Sequence, residues 1–273
     1  MSQINPGYMG YATMLGKNIR FADANIAAKQ SVEAPDIIMG DYDHDAWVYG
    51  KIEVGGTISG PVTQRFAETG GLFEWATDRD TCGGLTTTGI NLHYFCGGEG
   101  YNTRLFTGML ANSVNFSCSA GDVAQFSIDT MGIKAEGWSG GSSTIIEPEK
   151  LVTWDQVTVS AQGLEGQQFS AMDFTISNNL EAAYSLSQGD LYPVQIVPGL
   201  RTITGSLSVY NIPDANGKDA WDLYEATDTK LLSFDVGGLA VSMKVVYHRV
   251  EPASSVGNMI STVGFTGVTH QLF

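Results

Sequence analysis

Charge is what this sequence has least of: 16% of its 273 residues are Asp, Glu, Lys or Arg, against about 25% in an ordinary soluble domain. Basic charge is scarcest, with 14 Lys and Arg against 29 Asp and Glu and a formal net charge of −15. No cluster of even three Lys or Arg occurs, which excludes an electrostatic grip on nucleic acid, because displacing counterions from phosphate needs a basic stripe. Anionic membrane surfaces are disfavoured for the same reason, so no membrane binding is expected. Cysteine is sparse and odd in number, Cys82, Cys96 and Cys118, and lacks the spacing of a disulfide framework, so a reducing compartment is the default. No apolar run approaches the roughly 18 residues of a membrane span. Met1 to Gly10 has no basic segment followed by an apolar one, so no signal peptide is expected.

What is present is turn-rich and apolar enough to fold, with 33 Gly, 10% aromatic and 43% hydrophobic residues. Disorder is therefore not expected. A chain so poor in charge is expected to bury much of its surface against copies of itself. Period-two alternation recurs, as strands with one buried face require. Ile52, Val54, Gly56 and Ile58 alternate with Glu53, Gly55, Thr57 and Ser59; Ile203, Gly205, Leu207 and Val209 alternate with Thr202, Thr204, Ser206 and Ser208. Val114, Phe116 and Cys118, Met172, Phe174 and Ile176, and Leu239, Val241, Met243 and Val245 give further strands. Helical signals are few: Arg65 to Ala76, interrupted by Gly70 and Gly71, and Ala220 to Ala226 behind an Asp219 cap.

Two of these strands superpose, Glu53–Ser59 on Thr202–Ser208 at an offset of 149, and FEWAT (73–77) falls on LYEAT (223–227) at an offset of 150. Two matches at nearly one offset point to a tandem duplication. The Gly/Ser-rich stretch 137–144 is the linker candidate. Acids outnumber bases by eight in residues 1–150 and by seven in 151–273, so the negative charge belongs to both halves and not to an acidic tail.

Sites of chemistry are hard to find. Asp41, Asp43 and Asp45 alternate as in a calcium loop, but the sixth and twelfth positions are Ala46 and Ile52 where an EF-hand has Gly and Glu; a solvated hairpin tip accounts for them better. Cys82, His93 and Cys96, with Cys118 or His44, could be soft ligands, yet no close Cys pair of the zinc type exists. No nucleophile elbow, P-loop or H-E-x-x-H is present, and the Gly-Gly pairs lack a following Lys-Ser/Thr. Trp47, Tyr49, Trp75, Trp138, Trp154 and Trp221 could form a sugar-stacking surface or anchor cores and interfaces. No catalytic, cofactor-binding or metal residue is assigned, and the chain is not read as an enzyme.

Several segments resemble a known family. Asn18–Asn25, Ala34–Gly40 and Tyr49–Ser59 are similar to the opening of tail tube (major tail) proteins of tailed bacteriophages. Val152–Val157, Phe174–Leu180 and Pro198–Leu207 are similar to the opening of a second copy of the same domain. The resemblance implies a mainly β chain of two tandem tail-tube-like β-sandwich or half-barrel domains, residues 1–144 and 145–273, each with a short flanking helix. It implies a structural virion protein that polymerises into stacked rings, forming a conduit for genome delivery into the host. Two domains per chain imply a trimeric, pseudo-six-fold ring. The implied partners are further copies, a tape-measure protein in the lumen, tail terminator and baseplate or tip proteins, a sheath if the tail is contractile, and genomic DNA in transit without specific binding. The implied location is the virion tail, assembled in the host cytoplasm.

A negative or polar lumen would let DNA slide, and the sign of the net charge agrees. The expected lumen-facing residues are Glu53, Thr57, Ser59, Thr202, Thr204, Ser206 and Ser208. Asp41, Asp43, His44 and Asp45 are expected at an inter-ring contact. Two rivals stand beside this reading: a β-sandwich binding module for capsid decoration or for a receptor or carbohydrate, and a glycosidase using two carboxylates roughly 5–10 Å apart, which 29 acids neither support nor exclude.

Overall fold

The computed structural model describes residues 8–15, 17–33, 48–68, 71–78, 84–96, 100–141, 150–186, 189–210, 228–255 and 258–268. Strands dominate, as the alternation demands. The first half contains β1 (Tyr8–Met14), β2 (Lys17–Arg20), β3 (Asp23–Ala24), β4 (Ala27–Glu33), β5 (Val48–Pro61), α1 (Gln64–Ala67), α2 (Leu72–Thr77), β6 (Thr88–Cys96), β7 (Gly100–Ser119), β8 (Gln125–Gly132) and β9 (Lys134–Gly141). After a 3-10 turn at Trp154–Gln156 come β10 (Val157–Ala161), β11 (Gln168–Ser177), β12 (Leu180–Ala183), β13 (Gln195–Pro198), β14 (Thr202–Tyr210), β15 (Lys230–Val236), β16 (Leu239–Ser255) and β17 (Asn258–Gly267).

Fifteen of these strands form one sheet in which every described pairing is antiparallel, and β12 pairs with β13 as a separate hairpin. The first half has the order β1–β6–β7–β8–β5–β3/β4 and the second has β10–β15–β16–β17–β14–β11. Apart from β2, which pairs with β1, and β9, which pairs with β7, the two orders correspond strand for strand. They share a bulge as well. Ala111 pairs with Thr130 and Ser113 with Asp129, leaving Asn112 as the extra residue of β7; Tyr247 pairs with Phe265 and Arg249 with Gly264, leaving His248 as the extra residue of β16. The halves meet where β11 adds to β7, with Ala171 opposite Ser119 and Ser177 opposite Ser113.

The superposed strands are β5 and β14, and their shared glycine has a steric reason. A Cβ on Gly56, whose φ is +151°, would lie 2.6 Å from the Asn25 carbonyl oxygen and 2.8 Å from Ile26 Cα. A Cβ on Gly205 would lie 2.9 Å from Phe174 Cα and closer still to the Asp173 carbonyl. In both halves the neighbouring strand presses on this position so closely that no side chain fits.

Apolar residues on the opposite beat of these strands form one core that runs across the boundary between the halves. Phe174 of β11 is fully buried, with ring centroids 5.4 Å from Phe116, 4.6 Å from Phe234 and 6.2 Å from Phe73. Phe66 of α1 stacks on Phe126 of β8 at 4.6 Å. The expected helix over 65–76 is two short helices, because Gly70 and Gly71 interrupt it; α2 buries Leu72, Phe73, Trp75, Ala76 and Thr77 against the sheet. The segment 220–226, the second expected helix, lies outside the described residues. The linker expectation is corrected in part: Gly137 to Gly141 belong to β9 and Trp138 to Gly141 pair with β7, since a Gly/Ser stretch without proline keeps every ladder donor. Among the described residues no helix is long and apolar enough to cross a membrane.

Candidate functional site

The face of the sheet opposite the core is the surface with a consistent chemistry. Period-two geometry sends Val114, Phe116, Ile128, Phe174, Ile176, Ile203 and Leu207 into the core. The intervening residues are sent to the other face. Cross-strand pairing then aligns those residues in rows. One row runs Ser59, Ser127, Asn115, Thr175, Thr204 and Thr266, across β5, β8, β7, β11, β14 and β17. A neighbouring row runs Thr57, Asp129, Ser113, Ser177 and Thr202. On the other flank lie Ser117, Asp173, Ser206 and Gly264.

The rows are hydroxyls and amides that bond to one another across strands. Asn115 Nδ2 donates to Thr175 Oγ1 at 2.9 Å, Ser206 Oγ donates to Asp173 Oδ1, and Asn112 Nδ2 donates to Asp129 Oδ2 at 2.9 Å. On β8, β11, β14 and the β11-paired part of β7 this face carries two carboxylates, Asp129 and Asp173, and no Lys or Arg. It is polar and weakly negative, with no cation to hold a phosphate.

A hairpin arm closes one end of this face. Asn178 is fully buried where β11 ends: its Nδ2 donates to the carbonyls of Ala76 and Ala111 at 3.0 and 2.9 Å, and its Oδ1 accepts from Arg201 Nε at 3.0 Å. The bulge residue Asn112 accepts the Asn178 and Leu180 N–H groups, through its carbonyl at 2.7 Å and its Oδ1 at 2.9 Å. Held there, the arm built on β12 and β13 packs Leu180 and Ile196 against Leu110 and Met131 and reaches β5, where Tyr184 donates to the Ile52 carbonyl at 3.1 Å. An open groove of about 670 Å³ remains between the arm, β5 and β8, lined by Asn25, Lys51, Glu53, Thr57, Asp129 and Tyr184 among others.

Sequence reasoning found two of the strands in this face and missed the rest. Thr57 and Ser59 on β5, and Thr202, Thr204, Ser206 and Ser208 on β14, lie on it in one connected set of rows. Glu53 lies on the same side, paired with Lys51 at 2.5 Å beside the groove, and both remain solvent-exposed. The missed residues are Asp129, Asn115, Ser117, Asp173 and Thr175. The off-beat polar positions of β7, β8 and β11 were the available signal. Asp41, Asp43, His44 and Asp45 lie outside the described residues.

The other candidates do not converge. His93 sits between two hydroxyls, its ring nitrogens 2.9 Å from Thr13 Oγ1 and 2.8 Å from Thr103 Oγ1, and burial lowers its pKa. Cys118 is buried at the far end of β7, where desolvation raises its thiol pKa. Cys82 and His44 lie outside the described residues, and among those described no three His, Cys, Asp or Glu side chains cluster as metal ligands. Trp75 is buried and donates to the Thr86 carbonyl at 2.8 Å. Tyr49 and Trp154 are exposed on elements that do not pair, and Trp47 and Trp221 lie outside the described residues.

No curated protein matches the chain. A family model described as phage tail tube protein matches residues 5–267, nearly its whole length. The chain therefore belongs to the phage tail tube protein family and is a structural constituent of a virion tail.

Proposed function

We propose that this chain polymerises into stacked rings whose inner wall is the polar face of the central sheet, forming a conduit through which the genome leaves the virion. The observation that carries the reading is the continuity of that face. Six strands from both halves present rows of Ser, Thr and Asn with two Asp, and the base on this side of β5, Lys51, lies beyond the rows and is paired with Glu53; the sheet's other face is packed into the core. A duplex sliding past these rows of hydroxyls and carboxylates meets no run of cations to exchange for its own counterions, so it passes without sticking. Its function is passive conduction, with no catalytic step.

The two halves, 1–144 and 145–273, act as two copies of one tube unit. The matched strand orders, the shared bulge and the glycine pair at 56 and 205 support this. A ring then needs three chains for six units, closed so that no sheet edge is left open. Genomic DNA in transit, a tape-measure protein in the lumen and proteins capping each end of the tube are the partners this role requires. The arm over 178–199, which exposes Leu186, Leu191, Val194 and Val197, lies beyond the sheet and suits a contact between chains. The Asp41–Asp45 segment lies in the topologically matching connection, between β4 and β5, and is assigned the same role.

Negative-stain electron microscopy over a concentration series, with mass photometry at the lowest concentration, tests this. Hollow striated tubes or stacked rings, with trimers in solution, are expected. A chain that stays monomeric at every concentration and salt overturns the reading.

A further inference from the structure

Among the described residues, the internal joint between β7 and β11 has an unpaired counterpart at each end of the sheet. Strand β6 ends opposite Met109, and past it the same edge of β7 receives β11 over Ser113–Ser119. The repeat carries Met109 of β7 onto Val245 of β16, and β15 ends opposite Val245. Past that point β16 pairs with β17 on one side, and among the described residues no strand lies on the other. At the opposite end of the sheet, β3 and β4 occupy the position of β11. Among the described residues they pair with β5 alone, where β11 pairs with both β14 and β7.

The direction of the backbone groups also matches. Asn178 N–H reaches the Asn112 carbonyl, and Ala120 N–H reaches the Ser170 carbonyl. The even-numbered residues of β7 therefore bond towards β11, since groups alternate sides along a strand. Asn25 N–H bonds to the Thr57 carbonyl of β5, while Ala22 N–H, off that alternation, bonds to the Ser59 carbonyl; counted from Asn25, the groups of Ala24, Ile26 and Ala28 face outwards as those of Met172, Phe174 and Ile176 face β7. Two open edges of one molecule thus repeat the two sides of a joint already formed within it.

We propose that β3–β4 of a second copy of this chain pairs antiparallel with β16 over Arg249–Ser255, in the register that β11 takes on β7. This rests on the tube reading and specifies its ring contact. Transferring the internal register places Asp23 opposite Ser255, Asn25 opposite Ala253, Ala27 opposite Glu251 and Lys29 opposite Arg249. Pro252 stands where β7 has Phe116, with its missing N–H directed at the open edge. The new joint therefore has one ladder hydrogen bond fewer than the internal one, and the free edge is less able to pair at random.

Cysteine pairs test the register. Odd-numbered pairs across this joint are non-hydrogen-bonded, where side chains approach closest, as Asn115 and Thr175 do in the internal joint. Chains carrying Ala27→Cys with Glu251→Cys, or Asn25→Cys with Ala253→Cys, are assembled, oxidised and run on non-reducing gels beside the wild type. Asn115→Cys with Thr175→Cys serves as the intramolecular control. At least one of the two in-register pairs should give reducible covalent multimers. The diagonal pair Ala27→Cys with Ala253→Cys should give none, because diagonal Cβ atoms lie about 7–8 Å apart. Assembled tubes in which neither in-register pair cross-links, or in which the diagonal pair does, overturn the joint and leave the tube reading standing. A wild type that never assembles overturns the tube reading, and the joint with it.

Discussion

Replacing Phe174 with Ala tests whether the two halves share one core. Phe174 is fully buried on β11, in the second half, but two of its ring neighbours, Phe73 and Phe116, come from the first half. Phe234, its third neighbour, lies 4.6 Å away within its own half. A fully buried Phe→Ala change costs about 3–5 kcal/mol, combining lost transfer energy with the cavity left behind. At a guanidinium slope of about 4 kcal/mol per M, the unfolding midpoint should fall by about 1 M. The informative probe is a version whose only tryptophan is Trp75, since Trp75 is buried on α2 in the first half and reports on a region distant in sequence from the substitution. Measured at a concentration where the chain is monomeric, its fluorescence transition and the far-UV circular dichroism should shift together. A Trp75 midpoint that stays put while circular dichroism splits into two steps would show that the halves unfold separately, and the shared-core argument would be wrong.

Other substitutions probe the joint and the repeat. Gly205→Ala should lower stability by about 1–3 kcal/mol in a thermal melt, as overpacking against backbone does, with Gly56→Ala comparable; an unchanged melting temperature at both sites would remove the steric account of the repeated glycine. Asn178→Ala removes three side-chain hydrogen bonds and leaves two buried carbonyls short of a donor, so a loss of about 2–4 kcal/mol is expected, together with faster proteolysis of the 178–199 arm. His93 has a folded-state pKa below its unfolded value because burial disfavours the charged ring. Its contribution to stability is thus complete above about pH 6.5 and is lost as the pH falls from there towards the folded pKa. The urea midpoint should drop between pH 7.5 and 5.5, and His93→Gln should flatten that drop; an equal drop in the variant would assign it to other groups.

The sequence carried the face of each strand well and the order of the strands poorly. Alternation at 53–59, 114–118, 172–177 and 202–208 identifies buried and polar beats correctly, because the side-chain period of a strand is a local property. The pairing of β7 with β11 is not local. It joins Ser113 to Ser177 and Ser119 to Ala171 across a long stretch of chain, and nothing in either segment names the other. The rows of the polar face therefore emerged only once the strands were placed side by side. Asn112 and Asn178 were invisible for a related reason: an asparagine in a polar run looks like a solvated turn until its buried partners are known. The match between β5 and β14 was legible from one glycine-containing strand because a close approach of the neighbouring backbone demands glycine at both positions.

In the proposed tube the polar rows of the sheet face the interior. A helical reconstruction of assembled tubes by electron cryomicroscopy gives the radius at which each row lies. A hollow assembly is expected, with Asp173, Thr175 and Asn115 at a smaller radius than Phe174, Phe116 and helix α2. A tube with the helix inside and the polar rows outside, or compact particles with no lumen, would contradict it.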